Sequence, residues 1–208
     1  MKELKKNHRP SIIVLMETKI DLSSMGSFFN KLGFTASSHV DPVGRSGGIW
    51  VLWDPFKATV KALEVNAQVI HAKIQRDNHV DWVLSAVYGK KRSLSPTLSH
   101  VQTRKFNARM NKCNLMDLGC SRPQLTWSNG RQGLANTLER LDRVVCNSEW
   151  RMAFTEGAVR NLPRTYSDHS PLIVYTQGMD FPNLLARPFR LEAACLTDIT
   201  FKSIVENS

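Results

Sequence analysis

No apolar run in this 208-residue chain approaches the roughly 20 residues that a membrane-spanning helix needs. The longest, Ser11 to Met16 and Gly47 to Trp53, are far shorter, so a bilayer span is not expected. The opening MKELKKNHRPSIIVLMETK is basic and then apolar, but Glu17 stands where a signal peptide needs a small-residue cleavage site. Secretion is therefore not expected. Cysteine is scarce. Cys113, Cys120, Cys146 and Cys195 form no Cys-x-x-Cys pair and have no histidines at ligand spacing, which argues against zinc and for buried free thiols in a reducing compartment. Acid is missing from Trp82 to Met116 altogether. Internal repeats and low-complexity tracts are also missing.

What is present is positive charge and enough apolar residues for a substantial core. The formal net charge is +10 and the hydrophobic share is 42%, the profile of a globular chain with a polyanionic partner. The acid-free stretch carries Lys90, Lys91, Arg92, Arg104, Lys105, Arg109 and Lys112, and Arg122 and Arg131 follow with only Asp117 between. Such a face would neutralise phosphates and make binding fall with salt. A solvated basic helix accounts for the same run.

The order of hydrophobic patterns predicts an α/β chain. KELKKNH reads as a helix stopped before Pro10, and SIIVLMETK as a buried strand delivering Glu17 at its end. Asp21 is placed to cap a helix with Leu22, Met25, Phe28, Phe29 and Leu32 on one face and Gly33 just past its end. GGIWVLWD, ATVKALEV, QVIHAKIQ and DWVLSAVYG read as antiparallel strands. Ser95-Pro96 opens a helical stretch running toward Gly119. LTWSNGRQG reads as a hairpin with a type I′ turn at Asn129-Gly130. TLERLDRVVCNSEWRMAF returns to helical spacing, and SPLIVYT is a last strand. Residues 1–177 are expected as one domain and 178–208 as a linker or arm.

Among the polar residues, Asp168 and His169 adjoin at the mouth of that last strand. An acid beside a histidine can orient the imidazole for proton transfer or for contact with a phosphate oxygen. A serine nucleophile at Ser167 is disfavoured, because no glycine elbow surrounds it. Glu17, at the end of a buried strand, suits either a solvent-facing terminus or a divalent cation such as Mg²⁺, which needs few protein carboxylates. Asp142 lies between Arg140 and Arg143 and in isolation reads as part of a surface ion pair on a helix.

Taken together, IVLMETK, VGRSGGIWVLW, LSAVYG, NLMDLGCSRPQLTWSNGR, ERLDRVV, EWRMAF and LPRTYSDHSPLIV resemble, in that order, the endonuclease domain of plant LINE-type (non-LTR) retroelements. That domain belongs to the endonuclease/exonuclease/phosphatase superfamily. RPFRLEAACLT resembles the segment that leads on toward a reverse transcriptase. The resemblance implies a four-layer α/β sandwich of two mixed β-sheets flanked by helices. It implies a Mg²⁺-dependent DNA endonuclease, with Mn²⁺ as a substitute ion. It implies Glu17 as the metal-binding glutamate and Tyr88 as a phosphate-contacting tyrosine, with Asp142, Asp168 and His169 as the remaining acids and histidine of the site. His169 would be oriented by Asp142 or Asp168. Thr126 matches the threonine of a DNA-facing hairpin, to which Asn129 and Arg131 also belong, while Lys90, Lys91 and Arg92 open the basic stretch. Nuclear or cytoplasmic location follows only from the same resemblance.

The chain departs from the family's pattern in one respect that bears on chemistry. The family carries a strand ending in Gly-Asp-Phe-Asn after the tyrosine strand, and that Asp and Asn orient the attacking water and the phosphate. No such tetrapeptide occurs in the 208 residues. The family's first strand, with its metal-site asparagine, is not found ahead of KELKKNHRP either. The expectation is therefore an incomplete sandwich with impaired or absent catalysis, the alternative being a nucleic-acid-binding remnant with salt-dependent, non-specific affinity for DNA.

Overall fold

A computed structural model describes residues 1–44, 46–89, 96–121, 123–165 and 167–179. In chain order the elements begin with α1 (Lys2–His8), β1 (Ile12–Met16), α2 (Gly26–Lys31), β2 (Ala36–Val40), β3 (Ile49–Trp53), β4 (Thr59–Asn66), β5 (Val69–Gln75), β6 (Trp82–Val87) and α3 (Pro96–Lys112). They continue with β7 (Leu115–Asp117), β8 (Trp127–Ser128), β9 (Leu138–Glu139), β10 (Val145–Asn147), α4 (Ser148–Ala153), β11 (Ala158–Asn161) and β12 (Leu172–Tyr175). Within the single domain expected over 1–177, the chain forms two compact units. The first comprises Met1–Met116 with Asn147–Ala153, and the second Asp117–Cys146 with the chain from Phe154 onward. Most of the expected arm, residues 180–208, lies outside the described residues.

The first unit is built as an α/β sandwich. β3 is its central strand, pairing antiparallel with β1 (Val14↔Val51) and with β2 (Ser38↔Val51). The unbroken apolar run IWVLW suits a strand covered on both faces, and Ile49, Val51, Leu52 and Trp50 are all buried. Trp50 and Leu52 point to one face, where Phe29, Phe34 and the partly buried Leu22, Met25, Phe28 and Leu32 cover them. Ile49 and Val51 point to the other, against Ile70 and Ala86 of a second antiparallel sheet, β4-β5-β6. Each such aliphatic or aromatic side chain removed from water contributes roughly 1.5–3 kcal/mol. Alternation along β5, with Ile70, Ala72 and Ile74 buried, turns one face of this sheet inward.

The helical layer starts differently from the sequence expectation. The side chain of Asp21 makes no capping bond, and a short 3₁₀ turn, Leu22–Ser24, precedes α2. The Leu22 N–H is taken instead by Asp41 Oδ1 at 3.4 Å. Gly33 does end the segment, at φ +80°.

In the second unit the strands are short. β8 pairs antiparallel with β9 through Trp127↔Glu139, and β11 with β12 through Val159↔Val174. An isolated parallel bridge joins Ser121 to Arg160. Leu138 to Val145, expected as helix, is strand and irregular chain, and helix appears only at α4. Thr126 N–H donating to Glu139 O at 3.0 Å, together with the β8-β9 pairing, outcompetes the helical spacing of the apolar residues. The expected two-residue hairpin turn is also replaced. Asn129 is not among the positive-φ residues although Gly130 is, at φ 70°, and a type I′ turn needs both. A longer loop spans 129–137 instead, with Asn129 Oδ1 accepting from the N–H groups of Arg131 and Thr137.

Among the described residues Cys113, Cys120 and Cys146 are free thiols, and of these only Cys146 is buried, while Cys195 lies outside the described residues. Cys113 is exposed and Cys120 half-buried. No helix among the described residues is long and apolar enough to cross a membrane.

Candidate functional site

β1 ends at Met16, and the two residues Glu17 and Lys19 then adopt φ 54° and φ 60°. Left-handed backbone at non-glycine residues costs on the order of 1–3 kcal/mol each and persists where the surroundings enforce it. Gly47 and Gly48 supply that enforcement. Gly47 O accepts the Lys19 N–H at 3.3 Å, and Gly48, at φ +90°, has no room for a β-carbon against Thr18 Oγ1.

The turn presents the Glu17 carboxylate to Tyr88, whose hydroxyl donates to Oε1 at 2.6 Å. Tyr88 directly follows β6. Its N–H donates to Gln68 O at 2.8 Å, and its ring packs on the cluster of Ile49, Val51, Ile70 and Ala86. The hydrogen bond to Glu17, then burial, then the carboxylate's charge push the phenol up to about 12. At neutral pH Tyr88 is a firmly protonated donor.

The second unit holds a second acid-linked pair. Around His169 the chain runs strand-like beside β8, with Ser128 N–H donating to Asp168 O at 3.0 Å and Ser170 N–H to Thr126 O at 2.7 Å. Consecutive side chains of an extended segment diverge, so the neighbouring Asp168 does not orient His169. Asp168 Oδ2 instead accepts from Trp127 Nε1 at 2.9 Å. The partner of His169 is Asp142, whose Oδ2 lies 2.8 Å and Oδ1 3.1 Å from Nδ1. With Asp142 accepting from Nδ1–H, the neutral ring carries its lone pair on Nε2. Ser167 Oγ accepts the His169 N–H at 3.1 Å, which shapes the turn into this segment.

Thr126 corrects an expectation. Placed by resemblance on a DNA-facing hairpin, it is fully buried, and its Oγ1 accepts the N–H groups of Leu141 at 3.1 Å and Asp142 at 2.9 Å. It therefore acts inward, on the segment bearing Asp142. Asn129 is likewise occupied with its own loop, its Nδ2 donating to Ala135 O at 2.9 Å. Arg131 is exposed. Lys90, Lys91, Arg92 and Arg122 lie outside the described residues, while Arg104, Lys105, Arg109 and Lys112 line α3 as exposed cations. The structure thus brings Glu17 to Tyr88 and His169 to Asp142, each pair within its own unit.

Two residues beyond the sequence-predicted set take part. Trp127 anchors Asp168. Asp117, one residue past the acid-free stretch, accepts from Arg140 Nη2 at 2.6 Å and Arg143 Nη1 at 2.7 Å. Partial burial opposes its charge, but bonds from the Gly119 N–H, Arg143 and Arg140 outweigh this and hold the carboxyl below its ordinary range.

Among the described residues, no group of three or more His, Cys, Asp or Glu side chains stands where it could hold a metal. An all-protein cage does not fit. Glu17 offers one exposed carboxylate, the mode in which Mg²⁺ keeps several waters and takes further oxygens from a substrate phosphate.

No family model matches the chain, and no curated protein matches it. Among solved structures, it is similar to D. rerio TDP2 complexed with single-strand DNA product, at 9% identity and a TM-score of 0.49, over 82% of this chain and 87% of that one.

Proposed function

We propose that this chain handles nucleic-acid phosphodiesters with the residue set of a metal-assisted endonuclease, in a form whose own turnover is impaired. The observation that carries this reading is the His169–Asp142 pair, 2.8 Å from Nδ1 to Oδ2. An imidazole fixed through Nδ1 keeps Nε2 for one task, here a hydrogen bond to a phosphate oxygen. Within the first unit, Tyr88 supports the reading separately, as a donor that stays protonated at neutral pH. Glu17 is the residue that would hold Mg²⁺ or Mn²⁺, and the bound ion supplies charge at the phosphate oxygens.

Between Tyr88 and α3 no Gly-Asp-Phe-Asn segment occurs. Of the asparagines that could substitute, Asn107 and Asn111 sit exposed on α3, a helix and not a strand end, whereas Asn114 lies past the end of α3, directly before β7. Positioning of the nucleophile is a large part of such catalysis, and groups that act as a unit fail together. The finer assignment, to a LINE-type retroelement element leading toward a reverse transcriptase, rests on motif order alone.

A non-catalytic nucleic-acid-binding role is the second reading, favoured by the exposed cations Arg104, Lys105, Arg109 and Lys112 on α3. Plasmid nicking with and without Mg²⁺ tests both, comparing the unaltered chain, His169→Ala and a chain carrying an inserted Gly-Asp-Phe-Asn strand. Expected is DNA binding without nicking by the unaltered chain. Cleavage equal to the restored chain and abolished by His169→Ala overturns the impairment. Absence of DNA binding even at low salt overturns the nucleic-acid reading itself.

A further inference from the structure

We propose that Asp117 is a positioning residue for His169, acting through Arg140, Arg143 and the Asp142 that lies between them. The proposal rests on the phosphate-contacting role given to His169 above. Residues 140–144 have no regular secondary structure, so nothing in the local backbone fixes Asp142. Two external anchors do. From one side, Asp117 grips both flanks, with Oδ1 on Arg140 at 2.6 Å and Oδ2 on Arg143 at 2.7 Å. From the other, Thr126 Oγ1 accepts the backbone N–H groups of Leu141 and Asp142.

The anchoring carboxylate is itself held in place. Asp117 Oδ1 accepts the Gly119 N–H at 2.8 Å, and the neighbouring Leu118 N–H donates to Val144 O at 3.0 Å. Each carboxylate oxygen thus serves one arginine, and the two arginines bracket Leu141–Asp142. Rotation of this segment would carry the Asp142 carboxylate away from Nδ1 of His169. The ring would then be free to turn over or to change tautomer. Displacements of about 1 Å at such a group are enough to lose roughly 100-fold in a positioned step.

The test reads the ring directly and needs no turnover. In the full chain labelled with ¹⁵N, long-range imidazole correlations at a pH where the rings are neutral report which nitrogen of each histidine bears hydrogen. The His169 signals are identified by their disappearance in His169→Gln. Expected in the unaltered chain is the Nδ1–H form. In Asp117→Ala that signature is lost in favour of the Nε2–H form, and Arg143→Ala, which removes one arm only, gives a partial loss. Thr126→Ser, which keeps the other anchor, leaves it in place. An unchanged His169 signature in a folded Asp117→Ala or Arg143→Ala chain overturns the proposal. So does loss of cooperative melting in both, because Asp117 is then a residue of the fold alone. A chain that shows the expected signatures yet ignores DNA sinks the functional reading and leaves the positioning intact. A DNA-binding chain whose His169 is indifferent to Asp117 does the reverse.

Discussion

The hydroxyl of Tyr88 donates to Oε1 of Glu17 at 2.6 Å, across 71 residues of sequence. The two come from different sheets of one sandwich, Glu17 following β1 and Tyr88 following β6. Their meeting depends on the shared cluster of Ile49, Val51, Ile70 and Ala86, against which Ile12, Val14 and Leu84 also pack.

Tyr88 is raised from 10.0 to about 12, with the bond to Glu17 as the largest cause. A phenol whose folded value is raised lends stability that is fully present below its unfolded value and is lost as pH climbs from about 10 toward 12. In an absorbance titration of tyrosinate, one of the tyrosines titrates late, and Glu17→Gln brings it forward. A late component that survives Glu17→Gln contradicts the assignment.

Thr126→Val leaves the N–H groups of Leu141 and Asp142 without their acceptor inside the protein. Each buried polar group left unsatisfied costs about 1–3 kcal/mol. Because Leu141 and Asp142 are only partly buried, urea melts should show a loss of roughly 2–4 kcal/mol for Thr126→Val, short of the full sum for two buried groups, and clearly less for Thr126→Ser.

Gly48→Ala asks an L side chain to hold φ +90° and sets its methyl against Thr18. Strain of this kind costs on the order of 1–3 kcal/mol before the clash is counted. The expected result is a lower melting temperature together with an earlier Tyr88 titration, since strain at Gly48 and displacement of the Thr18 side chain disturb the turn that carries the adjoining Glu17. A variant with unaltered stability and unaltered Tyr88 shows that the turn is not constrained from this side.

Reversal of Arg104, Lys105, Arg109 and Lys112 to glutamate tests the basic helix. If each cation neutralises one phosphate, the slope of log affinity against log salt becomes shallower by about 0.9 per residue on duplex DNA. Binding unchanged in both strength and slope would remove α3 from the interface.

The sequence made much of the first unit legible, because its strands obey simple periods. β3 shows the unbroken apolar run of a doubly covered strand, and β5 the alternation of a half-buried one. Less could be read in the second unit, where pairings are long-range. Leu138, Leu141 and Val145 fall at helical spacing, yet Thr126, β8 and Asp117 claim the backbone and flanks of that stretch. Asn129-Gly130 looked like a tight turn because the dipeptide tolerates positive φ, whereas the Asn129 side chain organises a wider loop. Adjacency suggested Asp168 for His169 as readily as Asp142. The choice depends on which way consecutive side chains leave an extended segment, and that follows only once Trp127 and His169 are paired. Asp117 carried no local signal at all beyond ending the acid-free run.

Strand β3 has a neighbour on each side, and both of its faces are covered. No fraying edge and no single lifted layer releases its amides to solvent. Exchange of the 49–53 amide hydrogens with deuterium therefore waits for the whole unit to come apart, while those of the edge strand β6 escape through smaller openings. The slowest-exchanging amides of the first unit thus serve as a clock for its global unfolding, readable without denaturant and independent of any ligand.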